Sequence, residues 1–209
     1  MAESLLAQLA KAPVPGRVKT RLFGAISPET AASLHAAMVR RICHAASLSN
    51  ADRVELWVDG DGQSPLFDDC LQFDRVELRR QRGDDLGARM GYIVEEGFAA
   101  GFGRVVLIGS DSPGLTAAYL NKAIGALSDA ELVIGPALDG GYVLLGTSRP
   151  IPELFVDMPW GSDRVLEMTL HRLTQKKVEV TVLEPLPDID RPEDLQLLPA
   201  DLASLIESG

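Results

Sequence analysis

The sequence predicts an α/β protein with a mostly parallel sheet and helices on both faces, and three observations carry that expectation. Short apolar runs rich in Val, Ile and Leu alternate with amphipathic stretches through most of the chain, the pattern of βα units. One such run, Val105-Val106-Leu107-Ile108, is a β-branched block that reads as a fully buried strand. It ends in Gly109-Ser110-Asp111-Ser112-Pro113, so a carboxylate flanked by two hydroxyls sits at the carboxyl edge of the sheet, where open α/β sheets bind ligands. Pro113, lacking an N–H, stops the ladder. For Asp111 alone, capping a helix that starts near Thr116 is the competing role.

The 209 residues, 46% hydrophobic and 24% charged, show no repeat, low-complexity segment or linker, so one domain over residues 1–209 is expected. No apolar run approaches the roughly 18 residues that cross a bilayer, and the N-terminus lacks the pattern of a secretory leader. Cys43 and Cys70 have no metal-ligand spacing. Reduced thiols and a cytoplasmic location are therefore the expectation. His35 and His44 share a predicted helix without a partner motif and are not expected to hold a metal. The net charge of −10 argues against nucleic-acid binding. Yet residues 4–28 carry Lys11, Arg17, Lys19 and Arg21 and no acid, which concentrates positive charge in one early loop.

The elements follow in order. Leu5 to Ala10 reads as the first strand, and Lys11-Ala12-Pro13-Val14-Pro15-Gly16-Arg17 onward to Leu22 as an ordered loop, because two prolines and a glycine prevent regular structure. Ser27-Pro28-Glu29 is a helix start, with a hydroxyl cap, proline in the first turn and an acid at the positive end of the dipole. That helix is expected to reach about Leu48, with Leu34, Met38, Ile42 and Ala45 inward. Val54 to Val58 alternates as a second strand, and Asp59-Gly60-Asp61-Gly62 is a solvated turn that lacks the later ligands of a calcium loop. A third strand is expected over 76–81, a helix from Leu86 to about Ala100 with Leu86, Met90, Ile93, Val94 and Phe98 inward, and a helix over about 117–127 after the central strand. Strands over 132–135 and 143–145, a helix over 162–173, a strand over 178–183 and a helix after Pro192 complete the chain.

The loops at the strand ends share a theme. Gly16 permits close backbone approach, and Lys11, Arg17, Lys19 and Arg21 offer charge to a polyanion such as a phosphate chain. The loop has neither Walker spacing nor the three glycines of a dinucleotide fingerprint. Gln81 and Gly83 could read a nucleobase edge, or Asp84 or Asp85 could cap the next helix while Gly87 relieves packing. Asp139-Gly140-Gly141-Tyr142 offers a carboxylate beside two glycines, either for ligand approach or as a hairpin turn. Asp190 could cap the final helix. Alternatively Asp111, with Asp190 or Asp188, could share one hard cation such as Mg2+ or Mn2+.

Lys11-Ala12-Pro13 through Lys19-Thr20-Arg21-Leu22, the Gly109–Pro113 segment, Asp139-Gly140-Gly141-Tyr142, Pro159-Trp160-Gly161-Ser162 and the run from Asp188 to Leu195 together resemble a bacterial family. Its members are described as glycosyltransferase-A-like, or nucleotide-diphospho-sugar transferase-like, proteins. The resemblance covers nearly the whole chain and implies a Rossmann-like, mostly parallel sheet. It implies nucleotide phosphates held by the first-strand loop, here Lys11, Pro13, Gly16, Arg17, Lys19 and Arg21, with Gln81, Gly83 and Ser110 around the nucleotide. A metal would be held by Asp111, with Asp190 at the second position. The acceptor side would be Asp139, Gly140, Gly141, Tyr142 and Trp160. Two positions depart from the family: Arg191 stands where threonine is usual, and Ser110-Asp111-Ser112 replaces a two-acid motif.

The expected activity is that of a nucleotidyltransferase joining a nucleoside monophosphate to a small phosphorylated acceptor with release of pyrophosphate. Lys19, Arg21 and the metal would neutralise charge. The alternative is glycosyl transfer from a nucleotide sugar with Asp139 as base, and the third is a nucleotide-binding protein without turnover. The expected partners are a nucleoside triphosphate or nucleotide sugar and a small-molecule acceptor, with a homodimer left open.

Overall fold

A computed structural model describes residues 2–60 and 62–207; Asp61 of the expected turn lies outside the described residues. The strands are β1 (Ser4–Lys11), β2 (Arg53–Asp59), β3 (Val76–Arg80), β4 (Arg104–Ile108), β5 (Leu132–Pro136), β6 (Tyr142–Thr147) and β7 (Val180–Val182). They form a sheet in the order β3-β2-β1-β4-β6-β5-β7. Every pairing is parallel except those of β6, which runs antiparallel to β4 and β5. The Asp139-Gly140-Gly141 segment is the reason: it closes a β5–β6 hairpin, with the Ala137 N–H donating to the Gly141 carbonyl at 3.0 Å. The carboxyl ends of the parallel strands and the start of β6 therefore share one edge.

The helices are α1 (Pro28–Ser47), α2 (Pro65–Cys70), α3 (Leu86–Ala99), α4 (Ala117–Ala126), α5 (Val165–Lys176) and α6 (Ala200–Glu207). Side chains alternate across each strand, so Leu6 and Ala10 pack with α1, α2 and α4 on one face, while Leu5 and Ala7 pack with α3 and α5 on the other. A third cluster joins Leu22, Leu34, Met38 and Ile189 to Leu198 and Leu202, and so binds the first loop and the chain's end to α1.

Several sequence expectations are corrected. The buried face of α1 runs through Ala46 rather than Ala45. On α3, Leu86 is 45% exposed because it lies at the cleft rim. The short α2 is absent from the sequence reading, since six residues are too few to show a period. The helix expected over 162–173 begins at Val165, and the segment after Pro192 is a 3-10 helix over Pro192–Leu197 before α6. Among the described residues no helix is long and apolar enough to cross a membrane.

Candidate functional site

A cleft of about 720 Å³ opens along the strand-end edge. It collects Lys11, Arg17, Lys19, Arg21, Gln81, Ser110, Asp111, Asp139, Gly141, Tyr142, Trp160, Asp188 and Asp190 from loops far apart in sequence. Pro13, Gly16, Gly83 and Gly140 do not line it. Gly16 has φ +82° in a turn with open space around it. Gly83 packs on the first turn of α3, where a Cβ would come within 2.7 Å of the Arg89 nitrogen. Gly140 has φ +92°, and a Cβ there would meet the Asp163 carbonyl at 2.2 Å. The last two glycines therefore serve chain-on-chain approach.

The alternative capping roles resolve into particular residues. Thr116, not Asp111, caps α4, accepting from the Tyr119 N–H at 3.2 Å. Asp85 caps α3, accepting from the Ala88 N–H at 2.8 Å. Asp194, not Asp190, accepts the N–H groups of Asp190 and Arg191, at 3.0 and 2.7 Å. The carboxylates of Asp111 and Asp190 are thus released from helix capping and turned to the cleft. Asp139 divides its role, since its Oδ1 accepts from the Gly141 N–H at 2.9 Å.

Two cations from one turn of the first loop gather these acids. Lys19, in the left-handed region at φ 51° and ψ 36°, buries its side chain to 3% exposure and places Nζ 2.5 Å from Asp111 Oδ1. Its ammonium also donates to the Ile189 carbonyl. Two residues on, Arg21 pairs with Asp190. The Ile189 N–H donates to the Asp111 carbonyl at 2.9 Å, and the Ser112 hydroxyl to the Pro187 carbonyl at 2.7 Å, so the 109–113 and 186–191 loops are sewn together. Leu22 and Ile189, both fully buried, anchor this junction in the third cluster.

Beneath it lies a buried polar column. The Gln8 side-chain amide donates to the Val39 carbonyl at 3.1 Å and to Ser110 Oγ at 2.9 Å, and Ser110 Oγ donates to the Leu9 carbonyl at 2.7 Å. His35 donates from Nε2 to the Lys11 carbonyl at 3.1 Å, since a carbonyl can only accept. Its Nδ1, which has no hydrogen-bond partner, faces Asp111 Oδ1 at 3.8 Å. Neither Gln8 nor His35 was singled out as a site residue from sequence. The available sign was an amide in an otherwise apolar strand, and a histidine on the inner arc of α1. Gln81 spends its amide donors on the Ala10 and Trp57 carbonyls, at 3.1 and 2.8 Å, fixing the β3 exit against β1 and β2.

The electrostatics follow from this crowding. Burial acts to raise the Asp111 carboxyl, but the Lys19 ammonium, with His35 and Lys11 behind it, outweighs burial and holds it below the usual carboxylate range. Burial lowers the His35 imidazole, an effect that Asp111 only partly offsets. Asp188 is pushed up to about 7, first by burial and then by Asp111, with Asp139 and Asp190 adding to it against Lys19.

This donor set suits a hard divalent cation. It consists of carboxylate oxygens whose mutual repulsion a cation would relieve, and magnesium needs only one or two of them beside water and phosphate oxygens. Among the described residues no cluster of three or more ligating side chains forms a complete metal site. Asp111 adds to burial in raising the Asp188 carboxyl, while Asp190 is engaged with Arg21.

Comparison with known proteins agrees with this architecture. A family model described as an uncharacterized protein conserved in bacteria (DUF2064) matches residues 42–162. A Desulfovibrio desulfuricans G20 protein designated a candidate nucleotide-diphospho-sugar transferase superposes with a TM-score of 0.89 at 29% identity, over 100% of this chain and 95% of that one. Two more distant structures share the fold. One is the Anaerococcus prevotii 4-diphosphocytidyl-2C-methyl-D-erythritol synthase, with TM-score 0.59, 15% identity and coverage of 96% and 98%. The other is the T. maritima inositol-1-phosphate CTP transferase, with TM-score 0.56, 15% identity and coverage of 99% and 96%. No protein of curated function matches the sequence. The sheet is that of the nucleotide-diphospho-sugar transferase fold.

Proposed function

This chain belongs to the bacterial DUF2064 family, and from that premise and the geometry of its cleft we propose that it is a nucleotide-using transferase, specifically a nucleotidyltransferase. The observation that carries the reading is the division of labour in the first loop. Lys19 and Arg21 are committed to Asp111 and Asp190, while Lys11 and Arg17 line the cleft without an ion pair among the described residues. A triphosphate would lie across the strand ends with its outer phosphates on Lys11 and Arg17, and its α-phosphate toward Asp111 and Asp188. The fold shared with two enzymes whose names describe cytidylyl chemistry supports it.

Asp111 and Asp188 would hold Mg2+ or Mn2+, whose contribution is charge neutralisation on the phosphates. An oxygen of the acceptor attacks the α-phosphorus in line. The new P–O bond forms as the bond to the bridging oxygen breaks, and the electron pair leaves with pyrophosphate. A phosphate acceptor is already anionic, so the chain supplies positioning and charge rather than a nucleophile. Lys19 holds Asp111 in place, and the Gln8–Ser110 column fixes the loop from below.

Glycosyl transfer from a nucleotide sugar is the second reading. It is favoured by the Desulfovibrio protein, which is similar over the full chain, and by Asp139, whose second oxygen could take the proton of an acceptor hydroxyl. Incubation with the four nucleoside triphosphates or with nucleotide sugars separates the two. Pyrophosphate release with Mg2+ establishes nucleotidyl transfer, nucleoside diphosphate release establishes glycosyl transfer, and neither product with retained nucleotide binding sinks both.

A further inference from the structure

The cleft is chemically two-sided. The basic residues that line it, Lys11, Arg17, Lys19, Arg21, His35 and Arg89, come from the end of β1, the first loop, α1 and α3. The stretch 137–165 contributes none: of its two arginines, Arg149 pairs with Glu131 at 2.5 Å and neither Arg149 nor Arg164 lines the cleft. What this side presents instead is mainly Tyr142, Leu145 and Trp160 over a floor of Leu9, Leu107 and Met90, with Asp139 and Ser162 as its polar side chains.

The two aromatic rings meet edge to face at 6.1 Å and 90°. Tyr142 offers ring rather than hydroxyl, because its Oη is buried beside Thr169 of α5. Trp160 is seated on α3 at Gly87, where a Cβ would come within 2.6 Å of the indole nitrogen, so the ring cannot turn into the α3 backbone to vacate its place. Leu107 and Leu145, on adjacent β4 and β6, are 3% and 2% exposed and form a flat apolar base.

Resting on the nucleotide-using reading of the same site, we propose that the end of the cleft under Tyr142 and Trp160 is a compartment for an acceptor with an apolar, ring-like or branched hydrocarbon body, not a polyhydroxylated or multiply charged one. Two arguments support this. A polyol seated there would meet, besides the two aromatics, only two polar side chains from this stretch, Asp139 and Ser162, so most of its hydroxyls would lose water with no return. A nucleobase entering over β3 is held at the other end: Tyr142 on β6 lies four strand spacings from β3, roughly 19 Å across the sheet. The acceptor's reacting oxygen points out of the compartment toward Asp111 and Asp188, and Asp139 lines the same cleft.

Three probes test it: inorganic phosphate, phenyl phosphate and glycerol phosphate. Trp57 and Trp160 are the chain's two tryptophans, so a Trp57→Phe variant isolates Trp160 emission, and calorimetry on the wild type serves as the parallel readout. Phenyl phosphate should bind about ten- to a hundredfold more tightly than inorganic phosphate, the worth of burying one ring. It should perturb Trp160 emission, and it should do so equally with a non-hydrolysable nucleoside triphosphate bound. Trp160→Ala should erase the preference and Trp160→Phe restore most of it, with nucleotide affinity unchanged in both. Equal or tighter binding of glycerol phosphate overturns the proposal, as does displacement of phenyl phosphate by nucleotide, which would give the compartment to the base. Phenyl phosphate binding in a protein that takes up no nucleotide upholds the apolar compartment and removes the nucleotide reading instead.

Discussion

Lys19 Nζ lies 2.5 Å from Asp111 Oδ1, with the lysine side chain 3% exposed and the aspartate 46% exposed. The pair is therefore asymmetric: the cation is structural and buried, and the anion looks out on the cleft. Removing the cation should cost stability as well as function. Lys19→Ala is expected to lower the unfolding free energy by about 1–3 kcal/mol, less than for a fully buried pair because water reaches Asp111. Arg17→Ala, whose side chain is exposed, should leave the melting temperature unchanged and weaken nucleotide binding roughly ten- to a hundredfold. Thermal melts and nucleotide titrations on both variants check the contrast; equal melting temperatures for the two would overturn it.

Asp111→Asn should leave α4 intact, because Thr116 supplies its cap. The variant is expected to lose the stabilisation that Mg2+ gives the wild type in a thermal-shift assay. Thr116→Ala should behave oppositely, costing about 0.5–2 kcal/mol of stability with the Mg2+ shift preserved. A full Mg2+ response in Asp111→Asn removes this residue from the metal reading.

Asp188 carries a pH signature. Its folded pKa is raised to about 7 from an unfolded value near 3.8, so between these limits the native state binds more protons than the unfolded one. Stability then falls as pH rises from about 4 to about 7, and is level on either side as far as this group is concerned. Denaturant unfolding in a chelator should show that decline, and Asp188→Asn should flatten it. Added Mg2+ should flatten it too, by neutralising the carboxylates that cause it. A slope unaffected by Asp188→Asn assigns the effect to another group.

Gly140 and Gly16 separate two uses of glycine. Both have positive φ, but Gly140 also faces the Asp163 carbonyl at 2.2 Å from a built Cβ, whereas Gly16 has open space. Gly16→Ala should cost about 1–2 kcal/mol, the left-handed penalty alone. Gly140→Ala should cost distinctly more, because the 137–141 hairpin must shift off the Asp163 backbone that leads into α5. Comparable midpoints in urea for the two variants would contradict the packing role.

Much of the molecule was legible in the chain itself. Continuous apolar runs placed β1 and β4, alternation with period 2 placed β2, and the 3.6-residue period placed α1 and α3, each within a few residues, since these local patterns are written into the sequence. The loops at the strand ends were legible from their Gly, Pro and charge content, and Asp111, Lys19 and Asp190 were singled out from those motifs. Which residue caps which helix could not be read there, because Asp111, Thr116, Asp190 and Asp194 are all competent caps and only the backbone's path chooses among them. The antiparallel course of β6 was legible only as one of two readings of Asp139-Gly140-Gly141-Tyr142, the hairpin turn that the structure shows, because a short apolar run carries no direction of its own. The tertiary structure alone decided that Lys19 is a buried brace rather than an exposed cation, that Gln8 and His35 support the site from beneath, and that one side of the cleft is apolar. Each of these depends on residues tens to more than a hundred positions apart meeting at one sheet edge, and contacts of that separation leave no local pattern to read.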